Sequence, residues 1–80
     1  MKDLARTPKQ LGNLIRTARK NKYWTQADLA RNTSLQQRQI SVIENGYSST
    51  KLHTLLEILA VLDLDLQIVS RSTGEWKLGH

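Results

Sequence analysis

Two short apolar stripes at helical spacing flank residues 32–34, and this arrangement limits the possible folds more than any other feature of the sequence. Residues 32–34 read Asn-Thr-Ser, which are poor helix formers that favour turns. Gly46 can adopt the left-handed conformation that ends a helix. The pattern therefore predicts two short helices joined by a tight turn. Their inward residues are Leu29 and Ala30 in the first helix, and Leu35, Ile40 and Ile43 in the second.

A further helix is predicted on each side of this pair. Thr7 and Pro8 start the first one, because a hydroxyl can cap the first amides and proline has no N–H to leave unsatisfied there. Thr25 and Asp28 have the spacing of a capping box for the second helix. The fourth helix is expected over residues 50–62. The predicted apolar stripes are Leu11, Ile15 and Ala18 in the first helix, and Leu52, Leu55, Leu56 and Leu59 in the fourth.

After Asp63 the apolar period changes to two in the run LDLDLQIVS, which predicts one strand with Leu64, Leu66 and Ile68 on one face. No other part of the sequence has period two, so a partner strand has to come from a second copy across a two-fold axis. The predicted fold is all-α, with four to five helices and one C-terminal β-strand that pairs across a dimer. The predicted divisions are an N-terminal arm (1–6), a helical domain (7–62), a dimerisation strand (63–70) and a flexible tail (71–80).

The charge balance suggests a polyanionic partner. Twelve Lys and Arg against seven Asp and Glu give a net charge of +5, and the basic residues crowd into the first half of the chain. Nucleic acid, an acidic membrane surface and simple solubility all fit such a balance. With no cysteine there is no disulfide or thiolate metal site, and no metal or cofactor is expected. No apolar run is long enough to span a bilayer and no signal-peptide pattern opens the chain, which predicts a cytoplasmic protein without a membrane partner.

The run LQQRQIS places a polar cluster on the second helix of the pair. Glutamine can form two hydrogen bonds with adenine, arginine can form two with guanine, and serine adapts to either base. Exposed glutamine is also common on ordinary helix surfaces, and the cluster alone favours that interpretation. The polar residues Gln36, Gln37, Arg38, Gln39 and Ser41 lie on the side of the helix away from its apolar residues.

The segment TQADLARNTSLQQRQISVIENG resembles the lambda-repressor/Cro-like helix-turn-helix (XRE) family, in which TQ-x-x-LA and I-S-x-x-ENG recur. The resemblance covers residues 7–62 and implies a DNA-binding domain whose second paired helix reads bases. The family usually has glycine in the turn where this sequence has Ser34, which predicts some strain in the turn.

The same resemblance implies a role for each matching residue. Gln36, Gln37, Arg38 and Ser41 match base-reading positions. Gln26 matches a phosphate contact, and a second phosphate clamp matches Asn45, Ser48, Ser49 and Lys51. Arg19 and Glu44 match a partly buried structural ion pair. Arg16, Lys20 and Lys22 are either DNA-backbone contacts or solvated charges.

The final strand narrows the resemblance to HipB-type antitoxins. These proteins are dimeric repressors of their own toxin–antitoxin operon, and they bind palindromic operator DNA and a HipA-like Ser/Thr kinase toxin. The resemblance implies the same partners here, within the bacterial cytoplasm at the nucleoid. Trp76 is either a toxin contact or packs on the strand of its own dimer.

Two other functions stay open. A stand-alone or phage-type repressor without a toxin shares every DNA-binding feature. A protein-interaction module is a different class, and it predicts no steep fall of affinity with salt. The sequence contains no phosphate-binding loop, metal-ligand spacing or nucleophile motif, so no enzymatic activity is expected.

Overall fold

The computed structural model describes residues 4–47 and 49–71. These residues contain four helices and no strand, so the predicted all-α class is confirmed. The helices are α1 Pro8–Asn21, α2 Gln26–Arg31, α3 Gln37–Glu44 and α4 Leu52–Val61. Helix α4 is shorter than predicted, because residues 50–51 precede it and Leu62 is its C-cap. No helix within residues 4–47 and 49–71 has the length and apolar character needed to cross a membrane.

The predicted caps of α1 and α2 are confirmed. The Thr7 hydroxyl oxygen accepts a hydrogen bond from the Gln10 backbone N–H at 3.1 Å. At α2, the Thr25 N–H donates to Asp28 Oδ2 at 2.7 Å and the Asp28 N–H donates to Thr25 Oγ1 at 3.0 Å. Since the carboxylate form of Asp28 accepts the Thr25 backbone bond and is paired with Arg31, the pKa of Asp28 lies below its ordinary value.

The turn between α2 and α3 closes without glycine. Within the described ranges, only Tyr23, Asp63 and Gly46 have a positive φ. Ser34 is not among them. The predicted strain at Ser34 is therefore wrong. Instead, the Ser34 N–H and hydroxyl donate to the two carboxylate oxygens of Glu57 at 2.9 and 2.8 Å. This contact attaches the turn to α4.

The core lies between all four helices. Its buried apolar residues are Ile15, Leu29, Ile40, Ile58, Leu59 and Leu62. The predicted stripe of α4 is wrong in part, because Leu52 and Leu56 are 63% and 43% exposed whereas Ile58 is 0% exposed. Helix α4 reads LHTLLEILAV, so its apolar residues fit two faces with equal periodicity. The packing of the other helices decides which face of α4 is buried.

Gly12 allows α1 to lie directly against the end of α3. A Cβ atom at Gly12 would stand 2.4 Å from the Glu44 carbonyl oxygen and 2.6 Å from that of Ile43. Gly46, with a φ of +74°, similarly lies against the backbone of Lys9. These close approaches fix α3 relative to α1, and α3 carries the polar cluster.

Residues 64–70 form no strand in a single copy of the chain. Leu64 packs against the core, and its N–H donates to the Leu59 carbonyl at 2.8 Å. Leu66 and Ile68 are 54% and 73% exposed. The strand was predicted to pair with a second copy, so that pairing stays a prediction.

Candidate nucleic-acid interface

The first turn of α3 presents its polar side chains to solvent. Ile40 is buried in the core at 1% exposure and anchors the inner face of the helix. Gln36, Gln37 and Arg38 are exposed, and Ser41 one turn later is half-buried. Within the described ranges, the side chains of Gln37 and Arg38 make no hydrogen bond or ion pair. Both are therefore available to an external ligand.

An open groove of about 430 Å³ lies between α3 and the start of α4. Arg38 and Lys51 both line this α3–α4 groove, so two positive charges share one concave surface. The sequence did not single out His53, an exposed residue in the first turn of α4 that also lines the groove. Only the packing of α4 beside α3 brings it there. The remaining lining residues are Gln39, Val42, Ile43, Ser49, Thr50 and Thr54.

Glu44 is the centre of a buried polar network behind the exposed face of α3. Arg19 donates to it from Nε at 2.7 Å and from Nη2 at 3.0 Å, and Arg19 Nη1 donates to the Trp24 carbonyl at 2.7 Å. Glu44 and Arg19 are only 1% and 7% exposed. This bidentate pair joins α1 to α3.

Two further donors reach the same carboxylate. Gln26 Nε2 lies 3.1 Å and Arg16 Nε lies 3.4 Å from Glu44 Oε1. Burial by itself would raise the pKa of Glu44, but the hydrogen bonds from Arg19 and Gln26 and the charge of Arg19 outweigh it. The pKa of Glu44 therefore lies below its ordinary value of 4.5.

The other residues expected at the DNA backbone have different surroundings. The Asn45 side chain donates to the Ser41 carbonyl at 2.9 Å and accepts from Arg16 Nη2 at 3.2 Å. Ser49 and Lys51 are exposed. Ser48 and Trp76 lie outside the described residues, so their roles stay predictions.

Lys22 is held by intramolecular contacts. Its Nζ forms an ion pair with Asp63 Oδ2 at 2.7 Å, and it lies 5.5 Å from the centroid of the Trp24 ring. A phosphate contact from Lys22 has to compete with Asp63. The described residues contain no cluster of three His, Asp or Glu side chains that could hold a metal ion.

Comparison with known proteins finds a family model and several similar proteins. A helix-turn-helix family model matches residues 15–69. Two proteins named antitoxin HipB, from Escherichia coli O6:H1 and Escherichia coli strain K12, are each 36% identical to this chain over 62 residues. These alignments cover 78% of this chain and 66% and 70% of the two antitoxins. The chain thus spans about two thirds of the length of these relatives.

A phage protein and several solved structures are also similar. The ImmF control region 10 kDa protein of Bacillus phage phi105 is 34% identical over 61 residues, which are 76% of this chain and 68% of the phage protein. The HipB–O4 20mer complex and a HipA–HipB–O2–O3 complex contain chains that match with a TM-score of 0.75 and 31% identity. Each match covers 88% of this chain and 97% of the other.

Proposed function

Because the chain belongs to the helix-turn-helix family, we propose that it is a sequence-specific DNA-binding transcriptional repressor. More narrowly, it is a HipB-like antitoxin of a type II toxin–antitoxin operon. It binds palindromic operator DNA as a homodimer and also binds a HipA-like Ser/Thr kinase toxin. It works in the bacterial cytoplasm, at the nucleoid, and its function is binding without catalysis.

The observation that carries this proposal is the exposed first turn of α3. Gln37 and Arg38 project there without an intramolecular partner in the described residues. In a helix-turn-helix unit the N-terminal residues of the second helix meet base edges in the major groove. Arg38 supplies the paired donors that guanine O6 and N7 accept, and Gln36 and Gln37 supply the donor and acceptor that adenine requires. Ser41 is the fourth base-reading residue.

The DNA backbone is held on both sides of this turn. Lys51 and Ser49 lie in the α3–α4 groove next to Arg38, and with Asn45 and Ser48 they form the clamp on one side. Gln26, the first residue of α2, makes the phosphate contact on the other side. Such contacts fix the register of the protein on the duplex, while the base contacts give specificity.

The second copy is expected to cover the C-terminal segment. Leu66, Ile68 and Val69 are large apolar residues that are about half exposed or more in one copy. They line a groove with residues 4–6 and α1, and pairing of residues 63–70 across a two-fold axis buries them. The recognition helices of such a dimer contact half-sites roughly 34 Å apart.

The antitoxin assignment is supported by the 36% identity to HipB over most of the chain. The similar HipB structures include one complex with HipA and others with 20mers, which supports a kinase-like partner beside DNA. We further propose that Trp76, in the tail after the dimerisation strand, contacts the toxin. An isolated tryptophan in a polar tail is typical of an interaction hot spot.

The test combines DNA binding with partner capture. The dimer should bind the duplex upstream of its own gene more tightly than a scrambled duplex, with a steep fall in affinity as salt rises. The full chain should capture a kinase-like protein from its host, and Trp76→Ala should lose that protein while keeping the DNA affinity. A chain whose binding is insensitive to salt and sequence is a protein-interaction module, and that result contradicts the proposal.

The similarity to the phage control-region protein favours one alternative, a stand-alone repressor. This alternative predicts the same operator affinity and salt dependence, but no kinase-like partner for the intact chain. Trp76→Ala would then act on the dimer alone. Partner capture by the wild-type chain therefore separates the two functions.

A further inference from the structure

We infer that Arg16 is a positioning residue. It orients the Asn45 amide directly, and through the Glu44 oxygen it is linked to Gln26, so that the two amides proposed to contact phosphate keep a fixed relation to α3. This inference rests on the proposed DNA-binding function. It assigns to Arg16 a part in DNA binding that does not require the guanidinium to touch the DNA itself.

The geometry links three helices through the side chains of Arg16 and Glu44. Arg16 Nε lies 3.4 Å from Glu44 Oε1, and Arg16 Nη2 donates to Asn45 Oδ1 at 3.2 Å. The same Glu44 oxygen accepts from Gln26 Nε2 at 3.1 Å. A continuous path of hydrogen bonds therefore runs from Asn45 at the end of α3, through Arg16 on α1 and Glu44, to Gln26 at the start of α2.

Neutralising Glu44 does not require Arg16. Arg19 already binds both carboxylate oxygens at 2.7 and 3.0 Å and is itself buried. The Arg16 side chain is 36% exposed, so its charge adds little to a pair in contact with water. What Arg16 provides in addition is the second arm of its fork, which reaches Asn45.

Both amides keep a donor for an external oxygen in this arrangement. A side-chain amide has two N–H donors. Asn45 uses one on the Ser41 carbonyl, and its oxygen accepts from Arg16. Gln26 uses one on Glu44. Arg16 and Glu44 thus fix which way each amide faces, and the second N–H of each amide is the one proposed to meet phosphate.

The decisive variant is Arg16→Lys, because it keeps the charge and removes the fork. A lysine ammonium cannot reproduce the planar two-armed contact with Glu44 and Asn45. Arg16→Ala removes both the fork and the charge, and Lys9→Ala serves as the control that removes one exposed charge from the same helix. Thermal unfolding of each variant establishes the temperature at which all are folded.

The measurement is the affinity of each folded dimer for the upstream duplex and for a scrambled duplex over a range of salt concentrations. We expect Arg16→Lys to bind both duplexes about fivefold more weakly, the effect of losing one net hydrogen bond, with an unchanged salt slope because the displaced contacts are uncharged amides. If Arg16 touches phosphate itself, Arg16→Lys keeps its affinity and Arg16→Ala lowers the slope by about 0.9 beyond the Lys9→Ala control. If Arg16 is merely structural, the melting temperature falls while the affinity of the folded variants is unchanged. Either of these two results overturns the inference.

A double-mutant cycle tests whether Arg16 acts through its hydrogen bond with Asn45. In an Asn45→Ala background, Arg16→Lys should weaken binding by clearly less than fivefold, because the amide that it positions is gone. Additive effects overturn the link through Asn45. Failure of the wild-type dimer to bind its upstream duplex overturns the proposed function and this inference together, whereas normal wild-type binding with unaffected Arg16 variants overturns only the inference.

Discussion

At the scale of single residues, Glu44 shows how a buried charge is made tolerable. Its carboxylate is inaccessible to solvent, yet donors from Arg19, Arg16 and Gln26 surround it. A buried charge is costly unless it is both paired and hydrogen-bonded. Glu44 meets both conditions, and it therefore stays ionised behind the exposed face of α3.

Stability should fall at acidic pH because of Glu44. Its pKa is lowered in the folded chain, so the unfolded state takes up the proton first as pH decreases. The stabilisation by ionised Glu44 is complete at pH values above its ordinary pKa of 4.5. It is lost as the pH falls through the lower pKa of the folded chain. Glu44→Gln should cost about 3–5 kcal/mol at neutral pH because Arg19 loses its partner, and it should flatten this acid dependence.

Chemical denaturation over a pH series measures the effect of Glu44→Gln. Asp65→Asn, which removes an exposed carboxylate, is the control and should leave the acid dependence intact. Equal pH profiles for wild type and Glu44→Gln would contradict this role of Glu44.

Arg38 is the residue on which specificity is expected to depend most. Arg38→Ala should weaken operator binding by about 1–3 kcal/mol and relax the preference at one base pair. Arg31→Ala is the control: it removes an equal charge from α2, where Arg31 is paired with Asp28. This variant should keep the wild-type base-pair preference. Competition between operators altered at single base pairs measures both variants. An Arg38→Ala chain that discriminates like wild type would falsify the assignment.

Among the helices, the contact of α1 with the C-terminal end of α3 sets the orientation of α3, the helix proposed to read bases. Gly12 makes that contact possible, because any Cβ atom there would collide with backbone atoms of residues 43 and 44. Backbone cannot move aside as a flexible side chain can. The ion pair of Arg19 with Glu44 lies at the same junction of α1 and α3, so α3 is held by packing and charge together.

Gly12→Ala should therefore destabilise the fold although alanine is the better helix former. The overpacking should cost about 1–3 kcal/mol, measured by urea unfolding. Asn13→Ala is the matched control, because Asn13 is exposed one residue further along α1 and alanine should be neutral or slightly stabilising there. Equal stability of the two variants would contradict the close approach of α1 and α3.

At the scale of the whole molecule, one copy leaves a substantial apolar surface around its C-terminal segment. Leu66 and Ile68 stand exposed next to α1, while Leu64 is already packed on the core. The proposed dimerisation through residues 63–70 accounts for this division: Leu64 fixes the segment to its own domain, and the residues after it are proposed to meet the partner.

Replacing Leu66 and Ile68 together by glutamate should separate the dimer without unfolding the monomer, because both side chains are exposed in one copy. Sedimentation equilibrium should show a monomer, and operator affinity should fall because the two half-sites are no longer bound together. Leu52→Glu, at an equally exposed leucine on α4, is the control and should remain dimeric. A double variant that still forms a tight dimer would refute the pairing of these segments.

The four helices, most of their ends and the polar face of α3 follow from the amino-acid pattern alone. These features depend on contacts between residues three or four positions apart, such as Thr7 with Gln10 and Thr25 with Asp28, and helix geometry fixes such contacts locally. The family motif gave the expected roles of Arg38, Arg19 and Glu44. A motif can be recognised without the fold because it consists of residues at fixed spacing along the chain.

Features that depend on partners distant in sequence become visible only in the folded chain. Periodicity fitted two faces of α4, and packing buried Ile58 and left Leu52 exposed. The turn at Ser34 closes on Glu57, 23 residues away, so its lack of glycine could not be judged locally. Arg16 is an ordinary basic residue in the sequence, and its fork has a role only because folding brings Glu44 and Asn45 beside it.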